Sequence, residues 1–233
     1  MPNKSNKKSS KESNKITIVV LGEGGVGKSS MTLNYIRNEF SESYDPTIDD
    51  SYLTTVVLDG MEWLIEVIDT AGQEEYRGLW VEHALSQGDA FIIVYAINSE
   101  SSLRILPSFL QSISQNKNFD NLKSSGSSHG MQAVAEDKSD NLNMKRCPFP
   151  FAVAGNKSDL ESNRAVPTQD GSRLASLAGG LFCECSAKAD VNVKEVFNEL
   201  IRATIRLRRL RAAHKKNPKT SKLSSFYCKY RVQ

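Results

Sequence analysis

The sequence predicts an α/β fold, with a six-stranded, mostly parallel sheet, one antiparallel edge strand and helices on both faces. Short apolar runs alternate with longer amphipathic segments along the chain, which is typical of parallel strands joined by helices. An Asp-Gly pair between two strand-like runs, Asp59-Gly60, indicates one tight hairpin. In such a fold a ligand is expected at the carboxyl ends of the strands.

The elements follow in chain order. Strands are predicted at 15–21, 52–59, 61–69, 89–96, 149–155 and 181–185. Helices are predicted at 27–37, 76–86, 100–115, 168–178 and 192–212. Because the second and third strands flank the hairpin signal, they are expected to form the antiparallel pair.

A glycine-rich loop connects the first strand to the first helix, and it reads Gly22-Glu23-Gly24-Gly25-Val26-Gly27-Lys28-Ser29. This G-x-x-x-x-G-K-[ST] pattern between a strand and a helix predicts a P-loop NTPase, the alternative being a chance glycine-rich turn. Glycines permit unusual φ values, and backbone N–H groups with the helix N-terminus attract phosphate. The predicted phosphate-binding residues are Gly24, Gly25, Val26, Gly27, Lys28, Ser29 and Ser30.

The segment after the third strand, Asp69-Thr70-Ala71-Gly72-Gln73, carries residues suited to the third phosphate. Gly72 can bring its N–H to the γ-phosphate, and Gln73 can orient the attacking water. Mg²⁺ prefers hard oxygen ligands, so Ser29, Thr47 and, through water, Asp69 are its predicted ligands. The predicted catalytic residues are Lys28, Thr47, Gly72 and Gln73.

The identity of the nucleotide base is indicated by Asn156-Lys157-Ser158-Asp159, which follows the fifth predicted strand. A carboxylate at Asp159 accepts two parallel hydrogen bonds from guanine, a donor pair that adenine lacks. Asn156 is expected to brace the pocket, and the stem of Lys157 to cover the base. Ser186-Ala187-Lys188, after the last strand, can place a backbone N–H near the guanine carbonyl. An ordinary polar turn is the alternative for an isolated match.

These motifs resemble those of a Ras-family small GTPase over residues 15 to about 115 and 148 to about 205. They read GEGGVGKS, YDPTIDDSY, DTAGQEEY, NKSD and CSAK, and the second is closest to Ras proper. The resemblance implies a GTP/GDP switch that hydrolyses GTP slowly and responds to an exchange factor and a GAP. It also implies an effector-binding segment: Tyr44, Asp45, Pro46, Thr47, Ile48, Asp49, Asp50, Ser51 and Tyr52.

The same resemblance implies that Phe40 packs against the guanine edge, whereas composition alone predicts a helix-end core residue. A nucleotide-binding adaptor with little turnover stays open as a second function. A P-loop kinase or ATPase does not fit, because Asp159 rejects adenine and no domain is left over for an acceptor.

Charge is unevenly distributed: residues 201–233 carry eleven Lys or Arg and no acidic residue, and residues 16–200 have a net charge of about −12. The basic tail suits an anionic membrane surface better than nucleic acid, although a solvated helix end is the plain alternative. Tyr230, not cysteine, is fourth from the end, so prenylation is not expected. Palmitoylation of Cys228 and an unmodified thiol stay open, as does a misassigned C-terminus. We expect the protein at the cytoplasmic face of the plasma membrane or in the cytosol.

Three parts are predicted: a basic disordered extension at 1–14, a GTPase domain at 15–212 and a basic tail at 213–233. Within the domain, residues 116–148 form a Ser-, Asn-, Lys- and Gly-rich insertion that is predicted to be disordered and away from the site. Four cysteines (Cys147, Cys183, Cys185 and Cys228) lack metal-site spacing, and no segment approaches the roughly 18 apolar residues of a membrane span.

Overall fold

A twisted sheet with helices on both sides forms the structure, a computed structural model that describes residues 14–40, 50–70, 79–124 and 147–216. The strands are β1 Lys15–Gly22, β2 Asp50–Leu58, β3 Met61–Asp69, β4 Ala90–Ala96, β5 Phe151–Asn156 and β6 Leu181–Glu184. The helices are α1 Lys28–Arg37, α2 Leu79–Gln87, α3 Glu100–Arg104, α4 Leu106–Ser124, α5 Thr168–Ala178 and α6 Val193–Lys216. A 3₁₀ turn, Ser158–Asn163, follows β5.

The strand order is β2-β3-β1-β4-β5-β6. Only the β2–β3 pair is antiparallel and the other neighbours are parallel, which confirms the predicted sheet and its antiparallel edge strand. The hairpin turn has φ values of 51° at Asp59 and 75° at Gly60. Positive φ at both central residues is the geometry that Asp-Gly favours in a two-residue hairpin.

Two hydrophobic clusters, one on each face of the sheet, make up the core. Alternate residues of β1 divide between them: Ile16, Ile18 and Val20 face α1 and α6, whereas Val19 and Leu21 face α2, α4 and α5. Side chains of a strand alternate between faces, so a central strand covered on both sides must be apolar throughout. This confirms the prediction of helices on both faces.

The connection between β4 and β5 differs from the single helix predicted at 100–115. The helix divides at Ile105, because Pro107 cannot donate the backbone hydrogen bond that a continuous helix needs. The second part, α4, then runs to Ser124, since residues 108–125 contain no glycine or proline. The predicted insertion at 116–148 therefore starts with helix, and its residues 125–146 lie outside the described residues.

Both ends of this connection lie at the amino-terminal edge of the sheet. Parallel strand β5 starts there at Phe151, and α4 ends there after running antiparallel to the strands as a crossover helix. Asn116, near the middle of α4, donates from Nδ2 to the Glu82 carbonyl oxygen of α2 at 3.3 Å. The connection is thus attached at the end of the sheet that lies away from the carboxyl ends of the strands.

Helix α6 is fastened to the same edge by Arg208. Its guanidinium donates to the Lys15 carbonyl oxygen at 2.7 Å and lies 2.7 Å from Asp89 Oδ2. The same carboxylate oxygen of Asp89 accepts a hydrogen bond from the Thr17 backbone N–H at 2.9 Å. The last helix, β1 and the start of β4 are therefore joined by one set of charged hydrogen bonds.

The edge strand β2 shows apolar side chains to solvent. Leu53 is 60% exposed and Val57 is 71% exposed, and Leu64 of β3 is on the same face. None of the described helices is both long enough and apolar enough to span a bilayer.

Candidate functional site

The glycine-rich loop joins β1 to α1 through residues with positive φ. Gly25 has φ 74° and Gly27 has φ 93°, and Gly27 stands at the N-terminus of α1 without a side-chain cap. A Cβ at Gly27 would collide with the side-chain amide of Asn156. Both the conformation and the space therefore require glycine at this position.

Three predicted phosphate ligands, Lys28, Ser29 and Ser30, form the first turn of α1. Lys28 is buried, and its Nζ donates to the Glu23 carbonyl oxygen of the loop at 3.0 Å. The Glu23 carboxylate accepts a hydrogen bond from the Ser101 hydroxyl at 3.2 Å. The lysine charge is thus held across the loop, next to the backbone N–H groups at the start of α1.

Asn156, the last residue of β5, connects the two halves of the site. Its Nδ2 donates to the Val26 carbonyl oxygen at 2.9 Å, and its Oδ1 accepts from the Ala187 backbone N–H at 3.2 Å. The side chain is buried, so these hydrogen bonds replace contacts with water. One side chain therefore links the glycine-rich loop to the loop after β6, more than a hundred residues apart in sequence.

Asp159 lies in the 3₁₀ turn after β5, and its Oδ1 accepts a hydrogen bond from the Ser186 hydroxyl at 2.5 Å. The Ser186 oxygen in turn accepts from the Ala189 N–H at 2.9 Å. Lys157 precedes the turn with φ 67°, a left-handed conformation. The carboxylate is solvent-exposed while its direction is fixed by Ser186, which leaves its other oxygen able to accept hydrogen bonds from a ligand.

Asp69 ends β3 and is fully buried. It stands opposite Val20 of β1 and opposite Asp50 of β2 in the sheet register. The glycine-rich loop begins two residues after Val20, so Asp69 lies at the same edge of the sheet. A carboxylate here together with the Ser29 hydroxyl supplies hard oxygen donors, which fit a magnesium ion beside phosphates. Within the described ranges no group of three or more His, Cys, Asp or Glu side chains could hold a metal ion.

Phe40 is 38% exposed and belongs to neither core cluster. It follows the end of α1, where Asn38 adopts a left-handed conformation. The interpretation of Phe40 as a core residue is therefore wrong, and the predicted contact with a base stays a prediction.

Part of the effector segment is described: Asp50, Ser51 and Tyr52 open β2. The Tyr52 hydroxyl donates to Asp50 at 3.1 Å. Burial, and to a lesser extent this hydrogen bond, raises the pKa of Tyr52. The Arg37 guanidinium lies 5.8 Å from the ring centre of Tyr52. Several predicted residues lie outside the described residues: Tyr44, Asp45, Pro46, Thr47, Ile48, Asp49, Gly72, Gln73 and Cys228.

Sequence reasoning missed two residues that hold the site together. Asn34 of α1 donates from Nδ2 to the Ala187 carbonyl oxygen at 3.2 Å, and Arg164 joins Glu161 to Glu184. The hydrogen bond to Glu184, followed by the one to Glu161, raises the pKa of Arg164. The pKa of Glu161 is lowered chiefly by its hydrogen bond to Arg164. Neither residue belongs to a recognised motif, and only the proximity of Arg164 to Asp159 in sequence gives any signal.

Cys185 lies under the same loop. It is fully buried between Met31 and Asn156, and burial raises the pKa of its thiol well above the ordinary range. The described cysteines, Cys147, Cys183 and Cys185, are all free thiols. Cys185 therefore acts as a small packing residue rather than a nucleophile.

Comparison with known proteins gives consistent similarities. The family model of the Ras family matches residues 17–125 and 124–206. The chain is 39% identical to "Protein ras-2" of Neurospora crassa over 188 residues, covering 79% of this chain and 77% of that protein. It is 40% identical to "Ras-like protein B" of Aspergillus fumigatus over 189 residues, covering 79% and 75% respectively. It is also 39% identical to "Ras-like protein 1" of Saccharomyces cerevisiae over 185 residues, covering 79% and 51%.

Proposed function

Because this chain belongs to the Ras family and is a small GTPase that switches between GTP and GDP states, we propose that its guanine nucleotide binds with Mg²⁺ across the loops joined by Asn156. The hydrogen bonds of Asn156 to Val26 and Ala187 are the observation that carries the proposal. They connect the glycine-rich loop, which is predicted to bind phosphate, to the loop after β6, which is predicted to contact the base. Both loops lie at the edge of the sheet where ligands bind in open α/β folds.

On the phosphate side, the loop 24–27 wraps the polyphosphate and Lys28 contacts its outer oxygens. Ser29, Thr47 and, through water, Asp69 would hold Mg²⁺, which would offset the negative charge of the phosphates. The buried position of Asp69 and its place beside the loop support this assignment.

On the base side, Asp159 accepts the paired N–H donors of guanine, and Lys157 lies along the base. Ser186 holds the Asp159 carboxylate in place, which supports its use as the reader of the base. The loop Ser186-Ala187-Lys188 contributes a backbone N–H group near the guanine carbonyl, and Phe40 closes the edge of the pocket. An adenine nucleotide would leave the Asp159 carboxylate without the paired N–H donors of guanine, so we expect it to bind more weakly than a guanine nucleotide.

For hydrolysis, Gln73 orients water at the γ-phosphate, while Gly72 and Lys28 stabilise the transferred group. We expect Gln73→Leu to lower the hydrolysis rate by on the order of tenfold or more and to leave GTP affinity nearly intact. Single-turnover hydrolysis and GTP titration of the same sample test this, with and without a Ras-type GAP. A large loss of GTP affinity would show that Gln73 does not act only on water.

Effectors are expected at β2 and the segment 44–49 that precedes it. The order of the sheet supports this placement, because β2 is an edge strand with unpaired backbone groups. Its apolar side chains Leu53 and Val57 would add contact area beside the polar start of the strand. The basic C-terminal tail and Cys228 are proposed to bring the switch to an anionic membrane surface.

The direct test is the nucleotide extracted from purified full-length protein, followed by GTP hydrolysis. We expect GDP or GTP in the extract, and phosphate release from added GTP that depends on Mg²⁺. An extract containing ADP, or hydrolysis unaffected by a chelator, would contradict the proposed site.

A further inference from the structure

Arg164 follows directly after the 3₁₀ turn that carries Asp159, and all of its side-chain donors are used. Nε donates to Glu161 Oε1 at 2.9 Å, and Nη2 donates to Glu161 Oε2 at 2.6 Å. Nη1 and Nη2 donate to the two oxygens of Glu184 at 2.7 and 2.9 Å. Nη1 also donates to the Val166 carbonyl oxygen at 3.0 Å. A planar guanidinium between two carboxylates fixes both distance and angle.

The two carboxylates belong to the two segments that read the base. Glu161 lies in the same turn as Asp159, two residues later, and Glu184 ends β6, two residues before Ser186. The hydrogen bond from Ser186 to Asp159 joins the same two segments closer to the site. Arg164 therefore forms a second connection between the same two segments.

A backbone contact makes the geometry of this region depend on both segments. The Ser158 N–H, one residue before Asp159, donates to the Cys185 carbonyl oxygen at 3.0 Å. If the turn shifts relative to the end of β6, then Asp159, Ser186 and this backbone hydrogen bond must shift as well. Recognition of two parallel base donors by one carboxylate tolerates little displacement.

From these contacts we propose that Arg164 is a positioning residue for guanine recognition, holding the turn of Asp159 against the end of β6 through Glu161 and Glu184. This proposal rests on the proposed guanine site. It adds that Arg164, without touching the nucleotide, sets how long the nucleotide stays bound. A positioning role predicts faster release of GDP and GTP alike, because the base is common to both. It also predicts an unchanged hydrolysis rate for GTP that is already bound.

The test uses Glu161→Gln, because this partner is exposed and its loss should perturb folding little. The Glu161 side chain is 68% exposed, and exposed ion pairs contribute little to stability. Glu199→Gln is the matched control: Glu199 also pairs with an arginine three residues later, at 2.7 Å, and is 51% exposed on α6. Arg164→Gln and Arg164→Lys complete the set, since lysine keeps the charge but cannot form the fork.

Release of a fluorescent GDP from the full-length protein is measured first, together with affinities for GDP and inosine diphosphate. Inosine lacks the exocyclic amine, so the ratio of the two affinities reports the alignment of Asp159 with the base. We expect Glu161→Gln to speed release about fivefold and Arg164→Gln about tenfold or more, with a smaller GDP preference in both. Arg164→Lys should fall between Arg164→Gln and the wild type, and Glu199→Gln should match the wild type.

Release rates and affinity ratios in Glu161→Gln and Arg164→Gln that equal those of Glu199→Gln would overturn the proposal. So would Arg164→Lys behaving as the wild type, because charge alone would then suffice. A lowered melting temperature with an unchanged affinity ratio would assign Arg164 to stability only, and would likewise overturn the positioning role. If the wild-type chain does not bind GDP at all, the proposed guanine site fails instead, which separates the two outcomes.

Discussion

Gly27 shows how a single position serves both the backbone and a neighbouring side chain. Its φ of 93° is unfavourable for residues with a Cβ, and the place of that Cβ is taken by the amide of Asn156. The same amide donates to Val26, so crowding at Gly27 would disturb the connection between the two halves of the site. The motif pattern reports the first requirement, whereas only the structure reveals the second.

We therefore expect Gly27→Ala to lower the free energy of unfolding by about 2–4 kcal/mol, from backbone strain and a displaced buried amide. Nucleotide affinity should fall with it. Gly60→Ala is the control, because Gly60 also has positive φ (75°) but nothing within 4 Å of an added Cβ. It should cost only about 1 kcal/mol in urea denaturation. Equal losses in the two variants would mean that Asn156 moves aside freely.

Asp159 leads to a prediction about the choice of base. Asp159→Asn should weaken GDP binding by on the order of a hundredfold, since a charged double acceptor is replaced by a neutral group. The affinity for xanthosine diphosphate should rise, because its additional carbonyl can accept a hydrogen bond from the new amide. Competition titrations with both nucleotides measure the change. Asp190→Asn, in the exposed loop beyond Lys188, is the control, and an unchanged guanine preference in Asp159→Asn would remove Asp159 as the reader.

Among the elements, α6 is joined to the sheet at its far end by Arg208. Its guanidinium donates to the Lys15 carbonyl oxygen of β1 and pairs with Asp89, the residue before β4. Because Asp89 also holds the Thr17 N–H, loss of Arg208 would leave a carboxylate with fewer partners. Helix α6 therefore depends on charged hydrogen bonds as well as on its apolar face.

Arg208→Gln should lower the free energy of unfolding by about 1–2 kcal/mol, with no direct effect on nucleotide binding. Its neighbour provides the comparison: Arg209 donates to the Met61 sulfur at 3.6 Å, a weak contact, so Arg209→Gln should change the free energy of unfolding by less than about 0.5 kcal/mol. Urea denaturation of both variants in excess GDP measures the difference. The reverse order would show that the far end of α6 is not held by Arg208.

The elements were largely predictable because periodicity and turn chemistry are local. Apolar runs predicted all six strands, and Asp59-Gly60 predicted the hairpin. The break at Ile105 and the continuation of α4 to Ser124 were missed, since Pro107 and a polar helix do not change the periodicity clearly. In the site, the motif residues could be proposed from the sequence because phosphate and guanine require particular side chains, and their roles stay predictions. Arg164 and Asn34 could not be proposed, because their partners are brought near only by the fold.

For the molecule as a whole, charge is separated between an acidic body and basic ends. The eleven basic residues of 201–233 begin on α6, where Arg202, Arg208 and Arg211 are already paired with Asp59, Asp89 and the Pro148 carbonyl oxygen. We expect these arginines to contribute less to attraction by an anionic membrane surface than the basic residues after Lys216. The tail is therefore expected to need a second signal for stable attachment.

The prediction at this scale concerns membrane partitioning of the N-terminally tagged full-length chain in cells. Cys228→Ser should lower the membrane fraction by about tenfold if an acyl chain supplies the second signal. Cys183→Ser, a thiol of the folded body, is the control and should behave as the wild type. A cytosolic wild-type protein would contradict the membrane proposal, and equal membrane fractions in all three would contradict acylation of Cys228.

The position of the connection between α4 and β5 has a practical consequence. Its two ends are attached at the amino-terminal edge of the sheet, and β5 alone, at six residues, separates that edge from Asn156 by roughly 20 Å. A fluorescent protein inserted between residues 125 and 146 would thus be joined to the folded body at the edge opposite the proposed nucleotide site. Both termini would stay untouched, so live-cell imaging could follow this switch with its tail intact.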